Sequence, residues 1–264
     1  MLGAIIGDIV GSIYEFNNIK TTNFLLFSKN CEFTDDTVLT IAVLEALVNG
    51  YNDENKTKDE LMKSFVKWTS MYPNMTYGNR FLKWIYSSDK KPYNSFGNGS
   101  AMRVSAVAWV YDNIDEVEKY AKISSEITHN HKEGIKGAVA VASSIFLARK
   151  GKSKQEIKEY IENKFGYTFI NCDLIRPNYE MDETCMGSVP EAFSAFFEAN
   201  SFEQTIRLAV SLGGDSDTIA AIAGSIAEAY YGIPDNIMNE AIKYLDDNII
   251  KTLLDNINKI KFIN

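Results

Sequence analysis

The residue types best suited to chemistry are gathered in Leu212-Gly213-Gly214-Asp215-Ser216-Asp217-Thr218, directly ahead of a small-residue stretch from Ile219 to Tyr231. Gly213 and Gly214 permit a tight turn whose backbone can come close to a ligand. Asp215, Asp217 and the Thr218 hydroxyl then offer hard oxygen donors of the kind Mg²⁺, Mn²⁺ or Ca²⁺ accepts. One acid here could simply cap a helix. A cap does not need two acids, and a second acidic group, Glu15 with the pair Asp35-Asp36, lies in otherwise apolar segments far upstream. Five carboxylates brought together repel one another and raise each other's pKa unless cations are present. The expectation is therefore a divalent-metal centre on which these distant segments converge.

The elements that must position these residues read as helices. Apolar residues from Ala4 to Ile13 recur at helical spacing with Gly3, Gly7 and Gly11 on one face. Such a helix is weak alone and must be held by close neighbours. Ala220, Ala221, Ala223, Gly224, Ala227 and Ala229 give the 219–231 stretch the bare surface to be one, and Gly232 and Pro234 end it. Between them the pattern predicts a loop over 17–33, helices over 37–48, 59–71 and 80–86, and a loop over 90–99. Helices over 100–111, 114–125, 132–149 and 153–164 follow, the last with a capping box of Ser153 and Glu156. Residues 165–190 read as irregular, with Tyr167 to Ile170 the stretch that could form a short strand. Helices over 191–200, 201–212, 219–231 and 235–259 complete the chain. With no run of alternating strands, no linker and no fixed-period repeat, the expected fold is all-α, one domain over 1–264.

Composition narrows the function. The 264 residues suffice for a large core, and the net charge of −8 with no basic patch argues against nucleic acid as a partner. A small ligand or a protein is expected instead. Cys31, Cys172 and Cys185 form no paired framework and the N-terminus has no basic signal-type region, so a reducing cytoplasm is the expectation. Asp8 and Glu15 interrupt the N-terminal apolar run well short of the roughly 20 residues a membrane span needs. Cys31 has no adjacent base, no Gly-x-Ser-x-Gly elbow occurs, and two histidines without a Cys pair disfavour zinc. The charged stretches 56–60 and 152–158 read as solvated helix faces or starts.

Four stretches in order carry a resemblance: Gly7-Asp8-Ile9-Val10-Gly11-Ser12-Ile13-Tyr14-Glu15, Phe33-Thr34-Asp35-Asp36-Thr37, Gly97-Asn98-Gly99-Ser100-Ala101-Met102-Arg103, and Gly213-Gly214-Asp215-Ser216-Asp217-Thr218. Together they resemble the ADP-ribosylglycohydrolase family over essentially the whole chain. The resemblance implies a compact orthogonal helical bundle with a binuclear Mg²⁺ or Mn²⁺ centre that releases ADP-ribose from modified side chains. By position, Thr34, Asp35, Asp36 and Asp217 would hold one ion, and Glu15, Asp215, Asp217 and Thr218 the other, with Asp217 bridging. Glu15 or Asp36 would activate the water.

The same resemblance implies a substrate side. The Gly97-Asn98-Gly99 backbone, opening a helix, suits a pyrophosphate, and Ser95 adds a hydroxyl. Phe96 is similar to an aromatic that stacks on adenine, and His129 to a histidine of the same pocket; His131 is expected at the surface. Asn94 stands where some relatives carry an acid, which argues against a ring-opening route. Residues 182–188 are expected to form a lid that selects substrate. The resulting expectation is a monomeric hydrolase acting on an ADP-ribosylated protein, arginine- or serine-linked, or on a small molecule containing ADP-ribose. An inactive ADP-ribose-binding module, and a structural protein that inherited the fold, are the alternatives.

Overall fold

The computed structural model describes residues 1–263. The chain forms, in order, α1 (Leu2–Gly11), α2 (Asp35–Asn49), α3 (Glu54–Met71), α4 (Asn79–Tyr86), α5 (Gly99–Met102), α6 (Val107–Val110), α7 (Ile114–Glu126) and α8 (Lys132–Arg149). Then come α9 (Lys154–Phe165), α10 (Cys172–Ile175), α11 (Cys185–Glu198), α12 (Phe202–Leu212), α13 (Ser216–Tyr231), α14 (Asp235–Ala241) and α15 (Asp247–Ile263). The fold is an all-α bundle, as the pattern predicts. Among the described residues no strand forms, and the sole β-type pairing is an isolated bridge between Gly97 and Thr184. No helix among them is long and apolar enough to cross a membrane.

Helix α13 is the axis of the bundle. Every residue from Ser216 to Ala227 is buried, and α1, α8, α11 and α12 all pack against it. Its contact with α1 is made backbone to backbone. A Cβ on Gly7 would lie 2.1 Å from the Ala220 carbonyl oxygen, one on Gly3 would lie 2.2 Å from that of Gly224, and one on Gly11 2.4 Å from the Asp217 Cα. Glycine costs α1 intrinsic helix stability, and the close approach it permits is what recovers it. On the other side of the bundle α2 packs on α3 and α15, with Phe65, Trp68, Phe81 and Trp84 buried nearby.

Helix starts follow local chemistry. Thr34, Asp53, Asn113, Ser153, Thr184 and Ser201 each accept a backbone N–H from the first turn they precede, and Ser153 with Glu156 completes the capping box.

Four expectations are corrected. The helix expected over 100–111 is broken into α5, a 3₁₀ turn over Val104–Ala106 and α6, because Arg103 adopts φ −94° and ψ −2° and interrupts the ladder. The helix expected over 235–259 divides where Leu245 becomes extended and Asp246 Oδ1 restarts the chain by accepting the N–H groups of Asn248 and Ile249. Helix α11 begins at Cys185 rather than at residue 191; Pro190, which reads as a breaker, is inside it, and the Thr184 cap sets the true start. The segment Tyr167 to Ile170 forms no strand, and Asn171 caps the single turn of α10 instead.

Candidate metal centre and ligand cavity

The acidic residues are brought together by the α1–α13 contact and by two turns. Gly213 (φ +75°) and Gly214 (φ +67°) adopt conformations that favour glycine, and deliver Asp215 to the N-cap of α13. Asn18 brackets this turn, accepting the Gly214 N–H at 2.8 Å and donating to the Gly214 carbonyl at 2.9 Å. Glu15 follows the 3₁₀ turn that extends α1. One carboxylate oxygen from each of Glu15, Asp215 and Asp217 lies within 4.8 Å of the others.

The second acidic pair is set by a residue that the sequence analysis quotes but gives no role. Asp8 is fully buried in α1 and accepts from the Thr34 N–H at 3.0 Å, the Thr34 hydroxyl at 2.8 Å, the Thr37 N–H at 3.0 Å and the Thr37 hydroxyl at 2.5 Å. These bonds hold the start of α2 against α1 and so aim Asp35 and Asp36. The available signal was a lone acid on an otherwise apolar, glycine-stepped helix. Asp36 Oδ2 accepts the Thr218 hydroxyl at 3.1 Å, while Asp36 Oδ1 is buried with no hydrogen-bond partner. Asp35 accepts from the Thr76 hydroxyl at 2.8 Å.

The electrostatics record the crowding. Burial, followed by the charges of Asp215 and Asp35, pushes the Glu15 carboxyl up to about 8; burial pushes Asp35 up to about 7. Asp36 and Asp217 lie well above the usual carboxylate range, burial again being the main cause and neighbouring acids the next; Asp215 is raised by burial too. Such a cluster is unfavourable as a set of free anions.

These carboxylates floor a cavity of about 510 Å³. Glu15, Asp35, Asp36, Asp215, Asp217 and Thr218 line it together with Ser95, Gly97, Asn98, Gly99 and His129. Asn98 ties the glycine loop to the acidic turn by donating to Asp215 Oδ2, and donates also to Ser188 Oγ. Thr34 does not line the cavity; its hydroxyl donates to Asp8 and accepts the Asp36 N–H, which leaves one lone pair uncommitted. Phe96 also lies outside it, 42% exposed and edge-on to the half-buried His131, which caps α8. The Gly97 N–H is taken by Ser95 Oγ and the Asn98 N–H by the Glu183 carbonyl, so the loop offers a ligand fewer free donors than its sequence suggests. Residues 182–188 are pinned to that loop by the same bond and by the Cys185 N–H on the Phe96 carbonyl, with Glu183 contributing to the wall. Sequence reasoning also gave no role to Tyr77, Arg80 and Arg103, which line the cavity from the turn before α4, from α4 and from the end of α5.

A family model described as ADP-ribosylglycohydrolase matches residues 1–260. The chain belongs to the ADP-ribosylglycohydrolase family. ADP-ribosylhydrolase ARH3 of Homo sapiens is 26% identical over an alignment covering 95% of this chain and 90% of the relative, and that of Mus musculus 25% identical over 88% and 83%. ADP-ribosylarginine hydrolase Tri1 of Pseudomonas putida is 25% identical over 88% of this chain and 70% of its own. A solved structure titled ADP-ribosylglycohydrolase-related protein complex has the same fold, with a TM-score of 0.75 at 21% identity, covering 100% of this chain and 96% of that one. An ADP-ribosyl hydrolase of this family is expected to hold divalent metal, and the donors here fit one: all are hard oxygens, they are too crowded to be stable as free anions, and Asp36 Oδ1 is a buried acceptor lacking a donor.

Proposed function

We propose that this chain is a divalent-metal-dependent hydrolase, with Mg²⁺ as the ion and Mn²⁺ as a substitute, that releases ADP-ribose from an arginine- or serine-linked protein side chain. The observation that carries the reading is the convergence of Glu15, Asp35, Asp36, Asp215, Asp217 and Thr218 on a cavity of about 510 Å³ that Ser95, Gly97, Asn98, Gly99 and His129 also line. A cavity of this size suits a nucleotide-sized ligand rather than a bare ion.

In this reading Thr34, Asp35, Asp36 and Asp217 would hold one ion, and Glu15, Asp215, Asp217 and Thr218 the other. When bound, two divalent ions supply charge against the carboxylates, orient a ribose diol and favour ionisation of a water. The remaining work belongs to the chain. Asp36 and Asp217 are fixed by burial and by their bonds to the Thr218 hydroxyl and N–H. Glu15 is half-buried, so we assign it the proton of the attacking water, with Asp36 as its alternate. The surrounding negative charge stabilises the oxocarbenium character that develops at the anomeric carbon as the bond to the side chain breaks. Ser95, Gly99 and His129 orient the diphosphate end.

The test is release of free ADP-ribose from matched arginine-linked and serine-linked substrates, with Mg²⁺, with Mn²⁺, with chelator, and with Asp215→Ala plus Asp217→Ala. Metal-dependent release from one substrate, lost in the double variant, is expected and identifies the linkage. Binding of ADP-ribose without release from either would replace the enzyme with a binding module.

A further inference from the structure

Arg103 closes the Gly97–Arg103 motif and has no role in the reading above. It is 1% exposed and lines the cavity, with its guanidinium carbon 4.4 Å from the Phe65 ring centre. Among the described residues no carboxylate lies within ion-pair distance of it, and its Nε has no hydrogen-bond partner. Burial brings its pKa down to about 10, so it remains a cation at neutral pH. The charge of Asp35 acts on it from beyond ion-pair distance, and a buried cation with no directly paired anion is costly unless something that binds there supplies one.

Its main anchor is Thr128. Arg103 Nη2 donates to Thr128 Oγ1 at 2.7 Å, and Thr128 Oγ1 lies 2.7 Å from His129 Nδ1. A guanidinium can only donate, so the hydroxyl accepts from Arg103 and keeps one proton to give. The Tyr93 hydroxyl also lies beside Thr128, and His129 Nδ1, at 2.7 Å, is the acceptor within short hydrogen-bond distance of it. The other ring nitrogen, Nε2, faces the glycine loop, 3.5 Å from where a Cβ on Gly97 would sit and 3.3 Å from one on Gly99. Burial, then the charges of Arg103 and Arg80, holds the His129 pKa well below its ordinary value and the ring neutral.

We infer that Arg103 and Thr128 are positioning residues that fix His129 as its Nε2–H tautomer, a neutral donor aimed at the diphosphate oxygens of a bound ADP-ribosyl group, whose negative charge the Arg103 guanidinium complements. This rests on the proposed substrate class. It gives the cavity groups of opposite sign: acids for the reacting ribose, and a buried cation with a fixed donor for the phosphates. Selectivity is then for a nucleoside diphosphate over an uncharged nucleoside.

Two measurements on the full chain test it. Long-range ¹H–¹⁵N spectra of the two histidines, assigned with His131→Asn, report the tautomer directly. The Nε2–H form is expected for His129 in the native protein, with a mixture of forms in Thr128→Val. Calorimetric titration with ADP-ribose and with adenosine compares native protein, Thr128→Val and Arg103→Met. ADP-ribose affinity is expected to fall about tenfold to a hundredfold in both variants while adenosine affinity holds, and turnover should show a raised KM with kcat largely retained. If Arg103→Met does not fold, Thr128→Val decides alone. An Nδ1–H tautomer in the native protein, or undiminished ADP-ribose affinity in folded variants, overturns the inference. Native protein that neither binds nor releases ADP-ribose overturns the proposed function and this ligand with it, while the spectra still decide the tautomer.

Discussion

Asn98 donates its carboxamide N–H to Asp215 Oδ2 at 2.6 Å, a bond that joins the glycine loop to the first residue of the acidic turn. The loop and the turn are therefore mechanically one unit. Asn98→Ala should leave the fold intact but free Asp215 to rotate, lowering divalent-metal affinity by about tenfold to a hundredfold. Titration of Mn²⁺ by calorimetry reads this directly, and unchanged affinity would show that Asp215 is held by the Gly213-Gly214 turn alone.

The acidic cluster sets function against stability. Replacing Asp217 by Asn removes a buried carboxyl whose ionisation is opposed first by burial and then by Asp215, Asp36 and Glu15. The expected outcome is a metal-free protein more stable than the native one at neutral pH, by about 1 to 2 kcal/mol, that has lost its stabilisation by Mg²⁺. Thermal unfolding with chelator and with excess Mg²⁺ measures both. A variant that is destabilised with chelator would contradict the crowding argument.

Asp8 makes a separable prediction. Asp8→Asn turns one of its acceptor atoms into a donor facing Thr34 or Thr37, leaving buried N–H or O–H groups unpaired. Stability should fall by about 2 to 4 kcal/mol, with metal affinity falling too because the start of α2 loosens. Urea unfolding and Mn²⁺ titration on the same sample check the pair of effects.

The glycine stripe predicts a steep positional contrast. Gly7→Ala would press a methyl into the Ala220 carbonyl and should cost about 3 kcal/mol or more. Gly78→Ala, where an added Cβ meets nothing within 4 Å, should cost less than about 1 kcal/mol. Chemical denaturation of both variants decides whether the α1–α13 contact is as tight as its geometry implies.

A pH effect should be readable away from the metal centre. Burial, with Asp182 a lesser cause, pushes the Glu191 carboxyl up to about 7 from an ordinary value of 4.5. The folded state therefore keeps a proton that the unfolded chain gives up near pH 4.5. Its contribution to stability is full below that point and is lost as pH rises through about 7. Glu191→Gln should flatten the fall in unfolding free energy between pH 5 and 8; the same slope in native and variant protein would place the titration elsewhere.

Much of this was legible in the chain. The glycine step of residues 3, 7 and 11 predicts a helix that needs a bare partner, and the alanine-rich 219–231 stretch predicts that partner; the two meet along their backbones. Capping chemistry gave helix starts at Ser153 and Ser201, because the signal is local. What was not legible depends on tertiary context. Arg103 reads as one more helical residue, yet its burial over Phe65 accompanies a break between two short turns. Residues 185–190 read as irregular, yet the Thr184 cap starts the helix at Cys185. Asp8 reads as an interruption of an apolar run, since its four donors come from a segment 26 to 29 residues away.

The backbone contact between α1 and α13 has a consequence for how this protein can change. The separation of the two acid-bearing helices is a length written in main chain, and substitution of side chains elsewhere in the core cannot shorten it. Any change on the stripe can only lengthen it, because glycine is already the smallest residue. The spacing of the centre is thus a one-sided tolerance: it is insulated from drift in the surrounding packing, and open to loss from a single added methyl.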